Sequence, residues 1–246
     1  MARPRLSVLM PVYNELATVE QAVGEVLAAD LPAEIELVIV DDGSTDGTSE
    51  LLAGRDRDPR VRVIRHEANR GKGAAVRTAL AAAGGELAAI MDADLEYDPQ
   101  DLDRLLRPLL SGETNAVFGV RAFNGYTSHS FVYVLGNRAV TLACNVLFNV
   151  YLTDIMTCQK VLRTDVFRGL GLTESGFSIE AEITARLLQA GERIYEVPAT
   201  YRARGHGAGK KLTTRDGFHV LATLARCRVA ARGRRAADTP LPPHRH

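Results

Sequence analysis

The chain has 246 residues, 46% of them hydrophobic and 24% charged, enough to bury a full core as one large domain or one domain with appendages. Its three cysteines, Cys144, Cys158 and Cys227, lack C-x-x-C or zinc-ligand spacing, which argues against a disulfide framework or structural zinc and for a reducing, cytoplasmic setting. The formal net charge is zero, yet residues 1–192 hold 18 Lys and Arg against 27 Asp and Glu while residues 193–246 hold 12 against 3; a basic carboxyl-terminal segment points to phosphate or a membrane surface, and no nucleic-acid-reading motif accompanies it.

Leu6 to Met10 reads as an apolar strand broken at Pro11-Val12-Tyr13-Asn14-Glu15, and Leu16 to Ala29 then repeats apolar residues at helical spacing. Because the opening MARPRLSVLMPVYNE runs straight into structure, no cleavable leader is expected. Ile35 to Val40 reads as a second buried strand, followed by Asp41-Asp42-Gly43-Ser44-Thr45-Asp46-Gly47-Thr48, where Asp46 or Ser44 can cap a helix over Thr48 to Ala53. Val61 to His66 is a third strand, and Asn69-Arg70-Gly71-Lys72-Gly73 leads into an alanine-rich helix from Ala74 to Ala83. Leu87 to Met91 is a fourth strand, ending in Asp92-Ala93-Asp94-Leu95-Glu96-Tyr97-Asp98-Pro99.

Strands alternating with helices imply an α/β fold, a mostly parallel sheet covered by helices on both faces, in which ligands bind beyond the carboxyl ends of the strands. The polar clusters all fall at those ends. In an extended chain positions two apart point the same way, so Asp92, Asp94 and Glu96 are expected to crowd together. Two carboxylates about 5 Å apart at an effective dielectric of about 20 repel by roughly 3 kcal/mol, so the trio calls for a cation. An all-oxygen set suits Mg²⁺ or Mn²⁺ shared with a substrate diphosphate. The alternative is a solvated loop entering a helix at Pro99. The first strand is followed by P-V-Y-N-E and not G-x-G-x-x-G, and Gly71-Lys72-Gly73 lacks the P-loop frame, so a dehydrogenase and a P-loop NTPase are both unsupported.

Taken in order, P-V-Y-N-E, V-D-D-G-S-T-D-G-T, G-K-G-A-A and D-A-D-L-E, continuing through T-D-I-M-T-C-Q-K and R-x-x-x-x-x-K, resemble the family 2 glycosyltransferases of GT-A nucleotide-sugar fold, and within them the dolichol-phosphate mannose or glucose synthases. The likeness covers roughly residues 6 to 217. It implies that Pro11, Tyr13 and Glu15 line the nucleotide, that Val40 and Asp42 touch the base, and that Lys72 belongs to the same nucleotide-binding set. It also implies that Asp92 and Ala93 lie against ribose and diphosphate, and that Asp94 and Glu96 hold Mg²⁺ or Mn²⁺. The family commonly has Gln where this chain has Glu96, and the extra negative charge bears on metal preference.

Thr114 to Val120 reads as a fifth strand ending at Arg121. By the resemblance Arg121 contacts donor diphosphate and acceptor phosphate, a role that suits the guanidinium fork. Phe131 to Leu152 is long enough to raise the membrane question, but Asn137 and Arg138 near its middle argue against spanning. It reads as one or two amphipathic helices, either core or interfacial with Tyr133 and Tyr151 at headgroup level. Asp154 to Lys160 resembles a segment that frames the acceptor side, with Cys158 a packed small residue and not a nucleophile. Phe177 to Glu182 opens a helix to Ala190, where Glu180 and Glu182 suit the helix dipole or else contact donor sugar or acceptor.

Arg193 to Val197 is a further strand, and Tyr201 to Lys211 packs five cations among glycines and alanines, a cationic loop able to close over phosphates. The resemblance matches Arg204 and Lys210 to an Arg and Lys that hold phosphate; relatives often carry an acid where this chain has Ala208. Thr213 to Arg232 reads as an amphipathic helix with an apolar face of Phe218, Leu221, Ala222, Leu224 and Ala225 and a basic end able to lie on an anionic membrane. The expected organisation is a single domain over 1–235, with a nucleotide-binding half to about 121 and an acceptor-binding half after it, and a disordered tail over 236–246. The implied activity is inverting transfer of a hexose from UDP-glucose or GDP-mannose to a polyprenyl or dolichyl phosphate, by an enzyme peripheral on the cytoplasmic face of a membrane. Two alternatives stand beside it: a soluble acceptor, and nucleotide-sugar binding without turnover.

Overall fold

The computed structural model describes residues 5–121, 131–202 and 214–237. The chain opens with β1 (Arg5–Val12), α1 (Val19–Ala28), β2 (Glu34–Asp41), α2 (Thr48–Leu52), β3 (Val61–Arg65), α3 (Lys72–Ala82) and β4 (Leu87–Ile90). It continues through α4 (Leu102–Leu110), β5 (Ala116–Arg121), α5 (Phe131–Phe148), β6 (Lys160–Arg163), α6 (Thr164–Gly169), α7 (Ile179–Ala190), β7 (Ile194–Ala199) and α8 (Thr214–Ala237). The strands form one seven-stranded sheet in the order β3-β2-β1-β4-β6-β5-β7. β1 pairs in parallel with β2 and β4, β2 with β3, and β5 with β7. β6 runs antiparallel to both its neighbours, so every other strand delivers its carboxyl end to the same edge. The GT-A expectation of a mostly parallel, doubly covered sheet holds; the reversed β6 was absent from it.

Side chains alternate across the sheet with period two. Leu6, Val8, Met10 and Val12 of β1, with Leu37 and Ile39 of β2, pack against α1 and α4; Leu9, Val38, Val40 and Ile90 pack on the other face against α3 and α7. Because both faces are covered, the central strands are apolar over most of their length, the buried Ser7–Glu36 pair excepted, which is why they read from sequence as largely continuous runs. Pro11 fits here: the Val12 carbonyl accepts from Asp42 on the β2 side and the Leu9 carbonyl accepts from Met91 on the β4 side, where β4 pairing stops. The N–H that proline lacks would point to that unpaired side.

A third cluster lies beyond the sheet. Val140 and Cys144 of α5, Ala181 and Ala185 of α7, and Val220, Leu224 and Cys227 of α8 meet around Leu152, Ile155 and Met156. α8 therefore buries the i, i+4, i+7 stripe Val220-Leu224-Cys227, while Phe218, Leu221, Ala222 and Ala225 are exposed; of the expected apolar face only Leu224 points inward. α5 is neither wholly core nor wholly free, since it packs by one face while Leu135, Leu142 and Val146 lie exposed on the rest. No helix of the described residues is long and apolar enough to cross a membrane. α8 runs to Ala237, so Ala236 and Ala237 are helical and not tail; residues 238–246 lie outside the described residues.

α3 starts two residues earlier than expected, because Gly71 at φ 91° turns the chain into it and brings the loop around Ser175 against its first turn. A Cβ on Gly73 would stand 2.4 Å from the backbone oxygen of Glu174. Replacing a helical glycine with alanine ordinarily stabilises by about 0.5–1 kcal/mol. Gly24 of α1, exposed and with open space around it, should follow that rule, whereas Gly73→Ala should destabilise by about 1–3 kcal/mol through overpacking. Urea unfolding of the two variants checks the opposite signs.

Candidate functional site

Two loops close the carboxyl edge above β1 and β2. Asn14, at φ 54°, donates its backbone N–H to Ser44 Oγ (2.9 Å) and accepts at its side chain from the Thr45 N–H (2.9 Å). The Glu15 N–H reaches Thr48 Oγ1 (3.0 Å) and the Leu16 N–H reaches Asp46 Oδ2 (3.1 Å). Neither expected residue stands at the cap position, which is Gly47 at φ 101° with no side-chain cap bond; Asp46, one residue before it, accepts from the Thr48 N–H (3.0 Å) and hydroxyl (2.6 Å), while Ser44 serves Asn14. Tyr13 stands exposed beside this knot and Glu15 half-buried within it, where the resemblance puts the nucleotide.

Val40 and Asp42 sit differently from expectation. The Val40 side chain is fully buried under the sheet, so it can position a ligand only through the strand it belongs to. Asp42 is buried, and both its oxygens serve the protein: Oδ1 accepts from the Arg70 N–H (2.9 Å) and lies 2.7 Å from His66 Nδ1, while Oδ2 accepts from the Gly71 N–H (2.7 Å). Asp42 thus shapes the loop that enters α3.

The acidic turn after β4 departs most from the sequence-based expectation. β4 ends at Ile90 and the chain turns at Ala93–Asp94, with Leu95 at φ 61°, so the period-two rule no longer applies. Among the described residues no three of His, Cys, Asp and Glu gather at one point. Asp92 Oδ2 pairs with Lys72 Nζ at 2.7 Å, Asp94 Oδ1 accepts from the Glu96 N–H at 3.1 Å, and Glu96 Oε2 accepts from the Tyr201 hydroxyl at 2.6 Å. Ala93 is buried in the core behind the turn. Mg²⁺ and Mn²⁺ need only one or two carboxylates where phosphates supply the rest. The turn meets that smaller demand: Asp94 and Glu96 are half-buried hard-oxygen donors, and the buried Asp92 Oδ1 has no hydrogen-bond partner.

Lys72 continues inward. Its ammonium also lies 3.0 Å from Glu180 Oε1, and Glu180 Oε2 lies 2.6 Å from Lys160 Nζ. Lys160, fully buried at the start of β6, donates to the carbonyls of Ile155 (3.1 Å) and Thr157 and sits over the Phe118 ring. Burial pulls the Lys72 pKa down, but the carboxylates of Asp92 and Glu180 outweigh it and hold the ammonium well above the ordinary lysine value. Glu182, by contrast, accepts from the Thr173 and Glu174 N–H groups and from Arg186, a structural duty.

Arg121 ends β5 as expected, but its guanidinium is buried and paired two-fold with Asp154, Nε to Oδ2 at 2.7 Å and Nη2 to Oδ1 at 2.8 Å. Asn137 of α5 adds a third bond to Asp154 at 3.1 Å. The Tyr201 ring lies 5.3 Å from the guanidinium carbon and packs edge-on against Tyr97, and the isolated bridge between Tyr97 and Tyr201 holds it there. One tyrosine therefore touches Glu96 through its hydroxyl and Arg121 through its ring. Burial drives the Cys158 thiol far above its usual range, which keeps it protonated and agrees with a packing role.

The structure joins Asp92 to Lys72 directly and Glu96 to Arg121 through Tyr201. Arg204 and Lys210 lie outside the described residues. Sequence reasoning placed Asp154 and Lys160 within a segment resembling one that frames the acceptor side and Tyr201 at the head of the cationic loop, but gave none of them, nor Tyr97, an individual role; a lysine heading the otherwise apolar Lys160-Val161-Leu162 was a further signal.

The family model described as Glycosyl transferase family 2 matches residues 7–171. The undecaprenyl-phosphate mannosyltransferase of Micrococcus luteus is 28% identical over 217 residues, covering 84% of this chain and 87% of that one. The polyprenol monophosphomannose synthase of Mycolicibacterium smegmatis is 31% identical over 218 residues, covering 84% and 80%. Among solved structures, glucosyl-3-phosphoglycerate synthase from Mycobacterium tuberculosis in complex with UDP superposes with a TM-score of 0.69 at 25% identity, over 91% of this chain and 80% of that chain.

The Arg121–Asp154 pair sets a pH dependence. Burial alone would raise the Asp154 pKa, but the hydrogen bonds and charge of Arg121 outweigh it and hold the carboxyl below its ordinary value. Its contribution to stability is therefore present above the unfolded carboxyl pKa and lost as pH falls through the lower folded one. Asp154→Asn, which strands a buried guanidinium, should cost about 3–5 kcal/mol at neutral pH. It should also flatten the fall in urea midpoint between neutral and strongly acidic pH relative to the unsubstituted protein.

Proposed function

We propose that this chain, which belongs to glycosyl transferase family 2, moves a hexose from a nucleoside diphosphate sugar to the phosphate of a polyprenyl lipid. Both curated relatives described above carry polyprenyl-phosphate or polyprenol mannosyl transfer in their names. The observation that favours a lipid over a soluble acceptor is the exposed apolar surface of α5 and α8, where Leu142, Val146 and Phe218 are 63%, 73% and 73% accessible. Arg138 and Arg226 are exposed on the same two helices, and the α8 sequence ends in Arg232, Arg234 and Arg235. Apolar side chains flanked by arginines suit the interface of an anionic bilayer, in which a polyprenyl phosphate resides. The chain would then work as a peripheral protein on the cytoplasmic face.

The reaction needs little from the protein beyond placement. An acceptor phosphate is ionised at neutral pH, so its oxygen attacks the anomeric carbon while the bond from that carbon to the donor diphosphate breaks, inverting the centre. No general base is required. Pro11, Tyr13 and Glu15 would border the nucleotide, with Val40 and Asp42 shaping the base side from behind. Lys72 and Asp92 would lie along the ribose and diphosphate, over the buried Ala93. Asp94 and Glu96 would hold Mg²⁺ or Mn²⁺, whose charge stabilises a departing diphosphate. Arg121 would meet the phosphates from the opposite side once Asp154 shares its fork, with Arg204 and Lys210 orienting the acceptor.

A second reading keeps the chemistry and changes the acceptor: the solved relative is a synthase whose named product, glucosyl-3-phosphoglycerate, is soluble. Incubation with a panel of nucleotide sugars, Mn²⁺ and either a short polyprenyl phosphate or 3-phosphoglycerate, followed by mass spectrometry, separates the two. The expected product is the lipid-linked hexose, lowered about 10²-fold by Asp94→Asn. Transfer to the soluble phosphate alone would establish the second reading, and donor binding without any product would overturn both.

A further inference from the structure

Asp92, Lys72, Glu180 and Lys160 alternate in sign through the body of the site, at successive separations of 2.7, 3.0 and 2.6 Å. They come from separate places: the turn after β4, the first residue of α3, the first turn of α7 and the first residue of β6. Glu180 stands at the junction and is 1% exposed, so it meets no ligand itself. Each of its oxygens faces a different lysine: Oε2 accepts a hydrogen bond from Lys160, and Oε1 makes an ion pair with Lys72 that lacks hydrogen-bond geometry.

Burying such a chain is hard to explain by stability alone, since the desolvation of each ion is several kcal/mol and apolar replacements of buried pairs are often neutral or stabilising. Its geometry supplies another reason. A lysine ammonium is a point charge on a flexible stem, and Lys72 can hold Asp92 Oδ2 in one place only if something holds Lys72. Glu180 does so, leaving Asp92 Oδ1 buried and without a partner at the carboxyl edge of the sheet. Through its other oxygen Glu180 holds Lys160, which fastens the carbonyls of Ile155 and Thr157. The neighbouring Asp154 is the group that fixes Arg121.

We infer that Glu180 is a positioning residue of the transfer reaction, setting Asp92 on the donor side and the Asp154–Arg121 pair on the acceptor side in register by holding Lys72 and Lys160 at once. This rests on the proposed glycosyl transfer and deepens it: the link concerns the alignment of two phosphate-bearing substrates, not the affinity for either. Glu180→Gln removes the charge at nearly unchanged shape, and misplacement of a reacting group by about 1 Å lowers rates by about 10²-fold. The expected result is a loss of that size in kcat with the donor KM nearly unchanged.

Structural damage is separated by Glu180→Gln combined with Lys160→Met, which removes the ammonium that the single variant strands. Stability should recover toward that of the parent protein while kcat stays low, because Lys72 is still unheld. Recovery of kcat together with stability would overturn the inference. It would also fall if acylation of Lys72 by an amine-reactive ester, mapped by mass spectrometry, were no faster in the folded variants than in the parent. If Glu180→Gln alone does not fold, the double variant carries both measurements. Absence of transfer by the parent protein with every nucleotide sugar and acceptor would sink the functional reading first, whereas the Lys72 labelling decides without turnover whether Glu180 restrains the lysine.

Discussion

The carboxyl edge of the sheet is organised by the pairing of buried opposite charges across elements far apart in sequence. Lys72 and Lys160 are each drawn toward Glu180 because an ammonium removed from water must find a carboxylate, and α7 supplies one between them. That requirement places the start of α3, the start of β6 and the turn after β4 within a few ångströms of one another. Gly71 and Gly73 allow it, since a Cβ at either would meet the backbone of residues 174–175. The charges and the close backbone approach depend on each other: without the approach the lysine of α3 could not reach the carboxylate of α7.

The second pairing, Arg121 with Asp154, does the same on the other side, and Tyr201 lies between the two. Its hydroxyl meets Glu96 and its ring lies against Arg121, so the acidic turn and the guanidinium share a wall. Among the described residues, the charged groups that the family resemblance assigns to phosphate or metal, Lys72, Asp92, Asp94, Glu96 and Arg121, each have a protein partner. These groups are fixed in position by protein contacts, with Asp92 Oδ1 left without a hydrogen-bond partner. Ligand binding then exchanges one set of charge pairs for another, and the free energy of binding is the difference between them.

Membership of glycosyl transferase family 2 accounts for the sheet and its carboxyl edge but does not fix the acceptor. In the proposed reading, acceptor choice belongs to the helices after β5. There the third cluster joins α5, α7 and α8 while leaving apolar side chains in water, an arrangement that stability does not call for and that an apolar partner would relieve. Glu180 connects the two regions, because α7 packs on the sheet through Ile179, Ile183 and Leu187 and on α5 and α8 through Ala181 and Ala185.

The strands and helices of the first hundred residues were legible because local rules govern them: apolar runs with covered faces, glycine and proline at turns, and motifs at strand ends. The gathering of the motifs at one edge followed from the same rules, since parallel strands bring their carboxyl ends together whatever their side chains. The reversed β6 was not legible, because four residues carry no signal of direction. Nor was the posture of the acidic turn, where one positive φ at Leu95 sent three carboxylates to three partners. Sequence by itself determined which residue types stand at the edge and hence the chemistry open to the chain. Tertiary structure alone decided which charges meet, because Lys72, Asp92, Lys160 and Glu180 are brought together by the packing of α3 and α7 on one face of the sheet, and no local pattern encodes a contact across 108 positions of chain.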